Sequence, residues 1–344
     1  MAGYHSPQLD VEVRLNTNES PEPPPAEFAA AVAAAVADVA WHRYPDRSAL
    51  GLRTAIALHH GVEAAQIFAA NGSNEVLQTL LLTYGGPGRS AAVFEPTYAL
   101  HSHLSRITGT KVAEGLRTDG FALDLLEVER VLRSEQPAIT FLCSPNNPTG
   151  VVDPRESVRS VLELVTDIGG LLCVDEAYGQ FADHSALEML GPEVPLVVSR
   201  TYSKTWAMAG ARLGYLVGPQ WVVTELEKVV LPYHLDAATQ IAGTVALAHS
   251  EAMDQRVARL VEERGRLMAA MTDLDIEVWP SGANFILFRP RPVPGSEVWQ
   301  SLVDRSVLVR DCASWPRLEG CLRVTIGTRA EDDRFISALT EVLT

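Results

Sequence analysis

Four uninterrupted apolar runs set the limits on how this chain folds: AAVF (91–94), AITFLC (138–143), GLLCV (170–174) and PLVVS (195–199). A strand with one wet face alternates apolar and polar residues, whereas a strand covered on both faces does not. The runs therefore predict a mostly parallel sheet sandwiched by helices. Helical patterns such as NEVLQTLLLTY (74–84) and RESVRSVLELVTDI (155–168) lie between them, as an α/β fold requires. At 344 residues the chain exceeds one minimal core, so a smaller second domain is expected. It reads as α+β: a long helical region (236–272), NFILFR (284–289), a helix near 295–304, VLVRD (307–311), CLRVTIG (321–327) and a last helix. The expected division is an N-terminal arm and helix (1–40) packing with the small domain, a large ligand-binding domain (41–240) and the small C-terminal domain (241–344).

In a sheet of this kind ligands gather at the carboxyl ends of the strands, and the residues that follow the four runs are informative. AAVF leads into Glu95-Pro96-Thr97-Tyr98, and AITFLC into SPNNPTG (144–150). GLLCV ends in Asp175-Glu176-Ala177-Tyr178, and PLVVS runs into RTYSK, which ends at Lys204. Each residue alone has an ordinary reading. Asp175 would be a helix cap, SPNNPTG a Pro/Asn turn, Tyr98 a core aromatic and Lys204 a surface charge. Lys204 resists the last reading, because Lys111, Lys204 and Lys228 are the only lysines among 28 basic residues. Where Arg serves nearly everywhere as the cation, a retained lysine points to an amine that must lose its proton.

Taken together, these residues suit an aldehyde cofactor captured by an amine. Lys204 would condense with the carbonyl. Asp175 would keep a pyridine nitrogen protonated, so that the ring serves as an electron sink. Asn147 and Tyr178 would donate hydrogen bonds to a ring phenolate, and Tyr98 would stack on the ring face. NGSNE (71–75) opens a helix, so the N–H groups of Ser73 and Asn74 would face an anion such as a phosphate. Thr201, Ser203 and Arg212 add hydroxyls and a bidentate cation.

Other classes fit less well. The formal charge of −15 leaves no basic stripe for nucleic acid. The glycine cluster GGPGRS (85–90) precedes a strand and reads as a turn, so the fingerprint of a nicotinamide-dependent oxidoreductase is missing. His59-His60 and His101-Ser-His103 lack metal-ligand spacing with nearby partners, and no metal is expected. The cysteines, Cys143, Cys173, Cys312 and Cys321, show no C-x-x-C spacing, and the two inside apolar runs read as reduced, buried thiols. The Ala-rich segment 26–41 lacks a basic leader, carries Glu27 and Asp38, and reads as an ordinary helix. With no run long enough to span a membrane, a cytoplasmic protein is expected.

SPNNPTG, VDEAY, and SK followed by AGARLGY resemble the aspartate-aminotransferase-like fold (fold type I) of pyridoxal-phosphate enzymes, the class I/II aminotransferases. The resemblance covers almost the whole chain. RLNTNESP (14–21), RYPD (43–46), GSNE (72–75), LPYHL (231–235), ANFILF (283–288), VLVRD and GCLRVTIGT (320–328) are similar to the histidinol-phosphate aminotransferases. The resemblance implies a dimeric, pyridoxal 5′-phosphate-dependent transaminase of histidine biosynthesis, moving an amino group between glutamate and imidazole-acetol phosphate. Lys204 would carry the cofactor as a Schiff base and shuttle the proton. Asp175 would pair with the ring nitrogen, and Asn147 and Tyr178 with the ring oxygen. Ser73, Asn74, Thr201, Ser203 and Arg212 would take the cofactor phosphate, joined by Tyr44 from the neighbouring subunit. Arg310 and Arg323, with Asn18 of the arm, would hold the substrate, the two arginines at its anionic end.

The arm departs from the family pattern. Where many members have Asn-Pro, an aromatic and a glycine, this chain has Ser20-Pro21-Glu22-Pro23, and Glu22 must turn away from any bound phosphate. Two rivals keep the cofactor: an aminotransferase for aromatic amino acids such as phenylalanine, and a phospho-amino-acid decarboxylase.

Overall fold

The computed structural model describes residues 7–344; the first six residues of the expected arm lie outside the described residues. After β1 (Val13–Leu15) come α1 (Ala26–Ala37) and α2 (Leu50–His60). An alternating stretch follows: β2 (Ile67–Ala70), α3 (Gly72–Tyr84), β3 (Ser90–Glu95), α4 (Leu100–Ile107), β4 (Lys111–Leu116), α5 (Leu125–Glu135) and β5 (Ile139–Cys143). It continues through α6 (Arg155–Asp167), β6 (Leu171–Asp175), β7 (Leu196–Thr201), β8 (Gly214–Val217) and α7 (Gln220–Val229). The remainder is α8 (Ala237–Leu247), α9 (Ser250–Thr272), β9 (Ile276–Val278), β10 (Phe285–Pro290), α10 (Gly295–Asp304), β11 (Val307–Asp311), β12 (Leu322–Thr325) and α11 (Arg329–Leu343).

The four apolar runs are β3, β5, β6 and β7, and every residue in each is buried. They lie in a seven-stranded sheet ordered β2-β8-β7-β6-β5-β3-β4. β4, β3, β5, β6 and β7 run parallel, and β8 runs antiparallel to both β7 and β2. One face is sealed by Leu77, Leu80 and Leu81 of α3 with Val222, Val223 and Leu226 of α7. The other is sealed by Val128, Val131 and Leu132 of α5 with Val158, Val161 and Val165 of α6. Each such side chain contributes roughly 1.5–3 kcal/mol of hydrophobic stabilisation.

Three strands of this sheet escaped the reading of apolar runs. β2 and β8 have four residues each, too few to signal alone. β4 is an edge strand whose residues Lys111, Glu114 and Leu116 are exposed, so its sequence carries charge.

The smaller sheet, ordered β1-β11-β12-β10-β9, is antiparallel except for β1, which pairs parallel with β11. The helical region expected over 236–272 is two helices broken at Ala248–His249. The break redirects the chain. α8 packs on α1 and α2, whereas α9 packs on β9 and α11 beside the smaller sheet. The N-terminal segment divides in the same way: β1 joins the smaller sheet, while Phe28 and Val32 of α1 pack with Leu52, Ile56 and Tyr202 of the large domain.

Candidate active site

β5 and β6 end level at Cys143 and Asp175, with Ser199 of β7 alongside Asp175 and β7 running two residues further to Thr201. The chain lays β4 outside β3 and then returns to place β5 on the other side. This switch in direction opens a crevice at the strands' carboxyl ends. A cavity of about 380 Å³ occupies it.

Asp175, the last residue of β6, lies at the floor and is buried. Its Oδ1 accepts the backbone N–H of Ala177 at 3.1 Å, and its Oδ2 is 3.1 Å from Nε2 of the fully buried His101. The imidazole is stacked on Phe141, with centroids 4.8 Å apart, which fixes the plane of the hydrogen bond. His101 is the residue the sequence reading missed, having weighed it only as a metal ligand. A signal existed: it follows Tyr98 by three residues on the helix after β3, one turn on, and the two rings meet edge to face at 5.4 Å.

Lys204 follows β7 and is partly buried in the cavity wall. Its Nζ donates to the Thr17 carbonyl at 3.0 Å and stands 5.9 Å from the Tyr178 ring centroid. Its pKa falls from 10.5 to about 8, chiefly because burial penalises the ammonium; the Arg323 guanidinium pushes the same way, Glu19 opposes, and Arg212 adds a smaller push. A partly buried amine with a lowered pKa beside the buried Arg323 guanidinium is suited to nucleophilic attack and proton transfer.

Beside Lys204 is an anion cradle. α3 begins at Gly72, and Asn71 before it makes no side-chain cap, so the helix N-terminus faces the cavity through Ser73 and Asn74 without an internal acceptor. Gly214 of β8 permits the approach, since a Cβ there would lie 2.2 Å from the Ser73 nitrogen. Thr201 Oγ1 donates to Ser203 Oγ at 3.0 Å, and Arg212 Nη1 donates to the same oxygen at 3.3 Å. Tyr98 hydroxyl reaches Asn74 Oδ1 at 3.3 Å across the mouth.

The fourth wall comes from the arm and the smaller sheet. Arg323 of β12 donates to Asn147 Oδ1 and, at 3.0 Å, to the Asn16 carbonyl. Asn18, with φ of 55°, sends Nδ2 to the Tyr178 hydroxyl at 2.9 Å. Its N–H donates to Thr325 Oγ1 at 3.0 Å, and that hydroxyl donates to Asn18 Oδ1 at 3.1 Å. Tyr178 packs edge-on against Phe285, centroids 5.0 Å apart, joining the two sheets at the cavity. The SPNNPTG turn is held from below by Asp153, whose N–H donates to Ser144 Oγ at 2.9 Å and whose carboxylate takes two bonds, at 2.7 and 3.0 Å, from the buried Arg117.

Twelve of the fourteen residues singled out from the sequence line this cavity; Tyr44 and Arg310 do not. Tyr44 is 80% exposed and stacks on Tyr233 at 4.5 Å. Arg310 lies across from Arg323 in the β11–β12 register, its guanidinium 5.3 Å from the Trp315 ring centroid. Glu22 does turn away, pairing with Arg259 of α9 at 2.8 Å.

An uncapped helix N-terminus, two hydroxyls and a guanidinium fit a phosphate. A buried carboxylate three strands deep fits a ring nitrogen, and an amine with a lowered pKa fits an aldehyde. The fold and the donor set thus define a pyridoxal-phosphate enzyme of the aspartate-aminotransferase-like fold, with pyridoxal 5′-phosphate as its cofactor. The chain belongs to the aminotransferase class I and II family, whose model matches residues 11–339; it is a transaminase. It is 44% identical to the histidinol-phosphate aminotransferase of Frankia casuarinae over 100% of this chain and 88% of the relative. It is 43% identical to that of Mycolicibacterium smegmatis, over 98% and 90%. The solved histidinol-phosphate aminotransferase of Sinorhizobium meliloti in complex with pyridoxal-5′-phosphate superposes with a TM-score of 0.89 at 24% identity, covering 97% of this chain and 91% of that one. At that identity the likeness speaks for the fold.

Proposed function

We propose that this transaminase moves the amino group of histidinol phosphate to 2-oxoglutarate, reversibly, and so serves histidine biosynthesis. The observation that carries this reading is Arg323, a buried guanidinium in the cavity wall opposite the cofactor cradle, together with full-length relatives of 40–44% identity. One anion site is thereby available for the cofactor and a second for a phosphorylated substrate.

When bound, pyridoxal phosphate supplies an aldehyde carbon that takes up the amino group and a ring that accepts the electron pair released at the substrate carbon. The chain does the rest. Ser73, Asn74, Thr201, Ser203 and Arg212 hold the phosphate, and Tyr98 covers one ring face. Asp175 holds the ring nitrogen's proton, and His101 keeps the Asp175 carboxylate in orientation. Asn147 and Tyr178 hydrogen-bond the ring oxygen. Lys204 would hold the cofactor through its amine and, when freed by the amino donor, would serve as the base and acid that moves the proton released at the substrate carbon. Arg323, with Asn18, would hold the substrate so that this carbon faces Lys204; Arg310, outside the cavity and across the β11–β12 register from Arg323, would add positive charge from behind.

The same reading makes the protein a cytoplasmic homodimer with 1–40 as arm and helix, 41–240 as the cofactor domain and 241–344 as the small domain. Tyr44 would reach the second subunit's phosphate. The stacked, exposed pair Tyr44–Tyr233, with Trp41 and Leu231 also exposed nearby in sequence, supports a face covered by a second copy. Four free, buried cysteines fit a reducing compartment.

Single-turnover conversion of the bound cofactor tests the substrate. Histidinol phosphate should react with kcat/KM at least about a hundredfold above phenylalanine. A preference for phenylalanine would assign Arg323 to a carboxylate and overturn the reading.

A further inference from the structure

The arm carries one charged side chain into the cavity. Glu19 lines it with its carboxylate exposed there, and Oε2 accepts the Thr17 hydroxyl at 2.9 Å. Its neighbours are fixed: Asn16 and Thr17 through their carbonyls by Arg323 and Lys204, Asn18 by Thr325, Asn284 and Tyr178. Glu22 pairs with Arg259, but among the described residues Glu19 enters no ion pair. Arg323, Lys204 and Arg212 line the same cavity and answer to anions and to the aldehyde. A donor group on the substrate's side chain needs an acceptor instead. The amide acceptors nearby are engaged, Asn18 Oδ1 by Thr325 and Asn74 Oδ1 by Tyr98. The arm also lacks an aromatic after Pro21, so it offers no ring to stack on.

We propose that Glu19 is a specificity-determining residue, whose carboxylate accepts the ring N–H of an imidazole-bearing amino donor and so selects it over a phenyl or carboxylate side chain. This rests on the substrate reading above. Thr17 is a positioning residue, since its hydroxyl donates to Oε2 and so orients the carboxylate that lines the cavity. A carboxylate opposite a second carboxylate repels it, which disfavours acidic side chains, and phenyl offers no N–H to accept.

The test compares holoenzyme of wild type, Glu19→Gln and Glu19→Ala in single-turnover reactions with histidinol phosphate and with phenylalanine, as rates per bound cofactor. Glu19→Ala should lower kcat/KM for histidinol phosphate by about 10- to 100-fold, mostly through KM, and Glu19→Gln by less because its amide oxygen still accepts. The ratio of the two substrates should fall with it. In wild type the ratio should also grow as pH drops through about 6.5, where free imidazole gains its second N–H, and in Glu19→Ala it should stay flat. Equal losses on both substrates would show that Glu19 acts only through the charge of Lys204, and would overturn the proposal. So would an unmoved ratio in a wild type that does turn over histidinol phosphate. A wild type inert toward histidinol phosphate would instead overturn the substrate reading, and the role of Glu19 with it.

Discussion

The two sides of the cavity are built differently. On the sheet side, Asp175 ends β6 and Thr201 ends β7, and Asn147 and Lys204 follow within a few residues of their strands. Their places are set by ladders of wholly buried strands, so the cofactor side forms when the core forms. On the arm side, residues 16–19 belong to no element, and they are held by hydrogen bonds to partners 160 to 307 residues away. Breaking those few bonds exposes little apolar surface, so the arm opens far more cheaply than a strand. One side is preorganised by the sheet, and the other should be the side that opens to admit substrate. Lys204 is where they meet, standing on the sheet side with its amine bonded to the arm's Thr17 carbonyl.

The largest effect should come from breaking that junction. Lys204→Arg keeps a cation of similar length, but guanidinium stays protonated and cannot attack a carbonyl or carry a proton. Transamination should fall on the order of 10⁴-fold or more. Circular dichroism should report an intact fold, because the strand ladders do not involve this side chain. Activity within about tenfold of wild type would remove Lys204 from the chemistry.

A smaller effect follows from the lysine's environment. In cofactor-free protein, capture of pyridoxal phosphate needs the neutral amine, and the folded pKa is about 8 against an ordinary 10.5. The capture rate should rise roughly tenfold per pH unit below 8 and level off above it. A rate still climbing at pH 10 would mean that the cavity does not desolvate the amine. The sign for stability is fixed by the same shift. Between about 8 and 10.5 the unfolded chain binds a proton the folded chain has released, so this group's contribution rises with pH across that window.

The same contrast explains what was legible in the sequence. Strand-end residues announce themselves locally, since an uninterrupted apolar run fixes where its strand stops and which residues crown it. Asp175 and Lys204 were therefore readable from chemistry and position alone. His101 was not, because its partner lies 74 residues away and nothing in its local sequence points to a carboxylate. Arg323 gave a local signal beside the family resemblance, being a charge inside the apolar pattern CLRVTIG, where it needs a partner. Asn18 was readable only through family resemblance, as nothing local to a polar arm says that it pairs with a strand near the C-terminus. Thr325 and Asn284, which hold the arm, went unnoticed for the same reason. The antiparallel insertion of β8 was missed because four residues, GYLV, carry no direction.

The smallest effect is the sharpest test of the contrast, because it asks the two sides to fail separately. Thr325→Val preserves shape but leaves the N–H and Oδ1 of the buried Asn18 without the hydroxyl they share. An unpaired buried polar group costs about 1–3 kcal/mol, enough to loosen an arm held by so few bonds, while Asn284 and Tyr178 still restrain Asn18. The KM for the amino donor should rise about tenfold, with cofactor affinity moving less than about threefold. Thr201→Val on the sheet side should do the reverse, weakening the cofactor about tenfold through the lost phosphate contact while the donor KM holds. Equilibrium titration with pyridoxal phosphate and steady-state kinetics on both variants separate the outcomes. If Thr325→Val releases the cofactor as readily as Thr201→Val does, the arm is part of the preorganised wall, and the distinction between a rigid side and a closing side is lost.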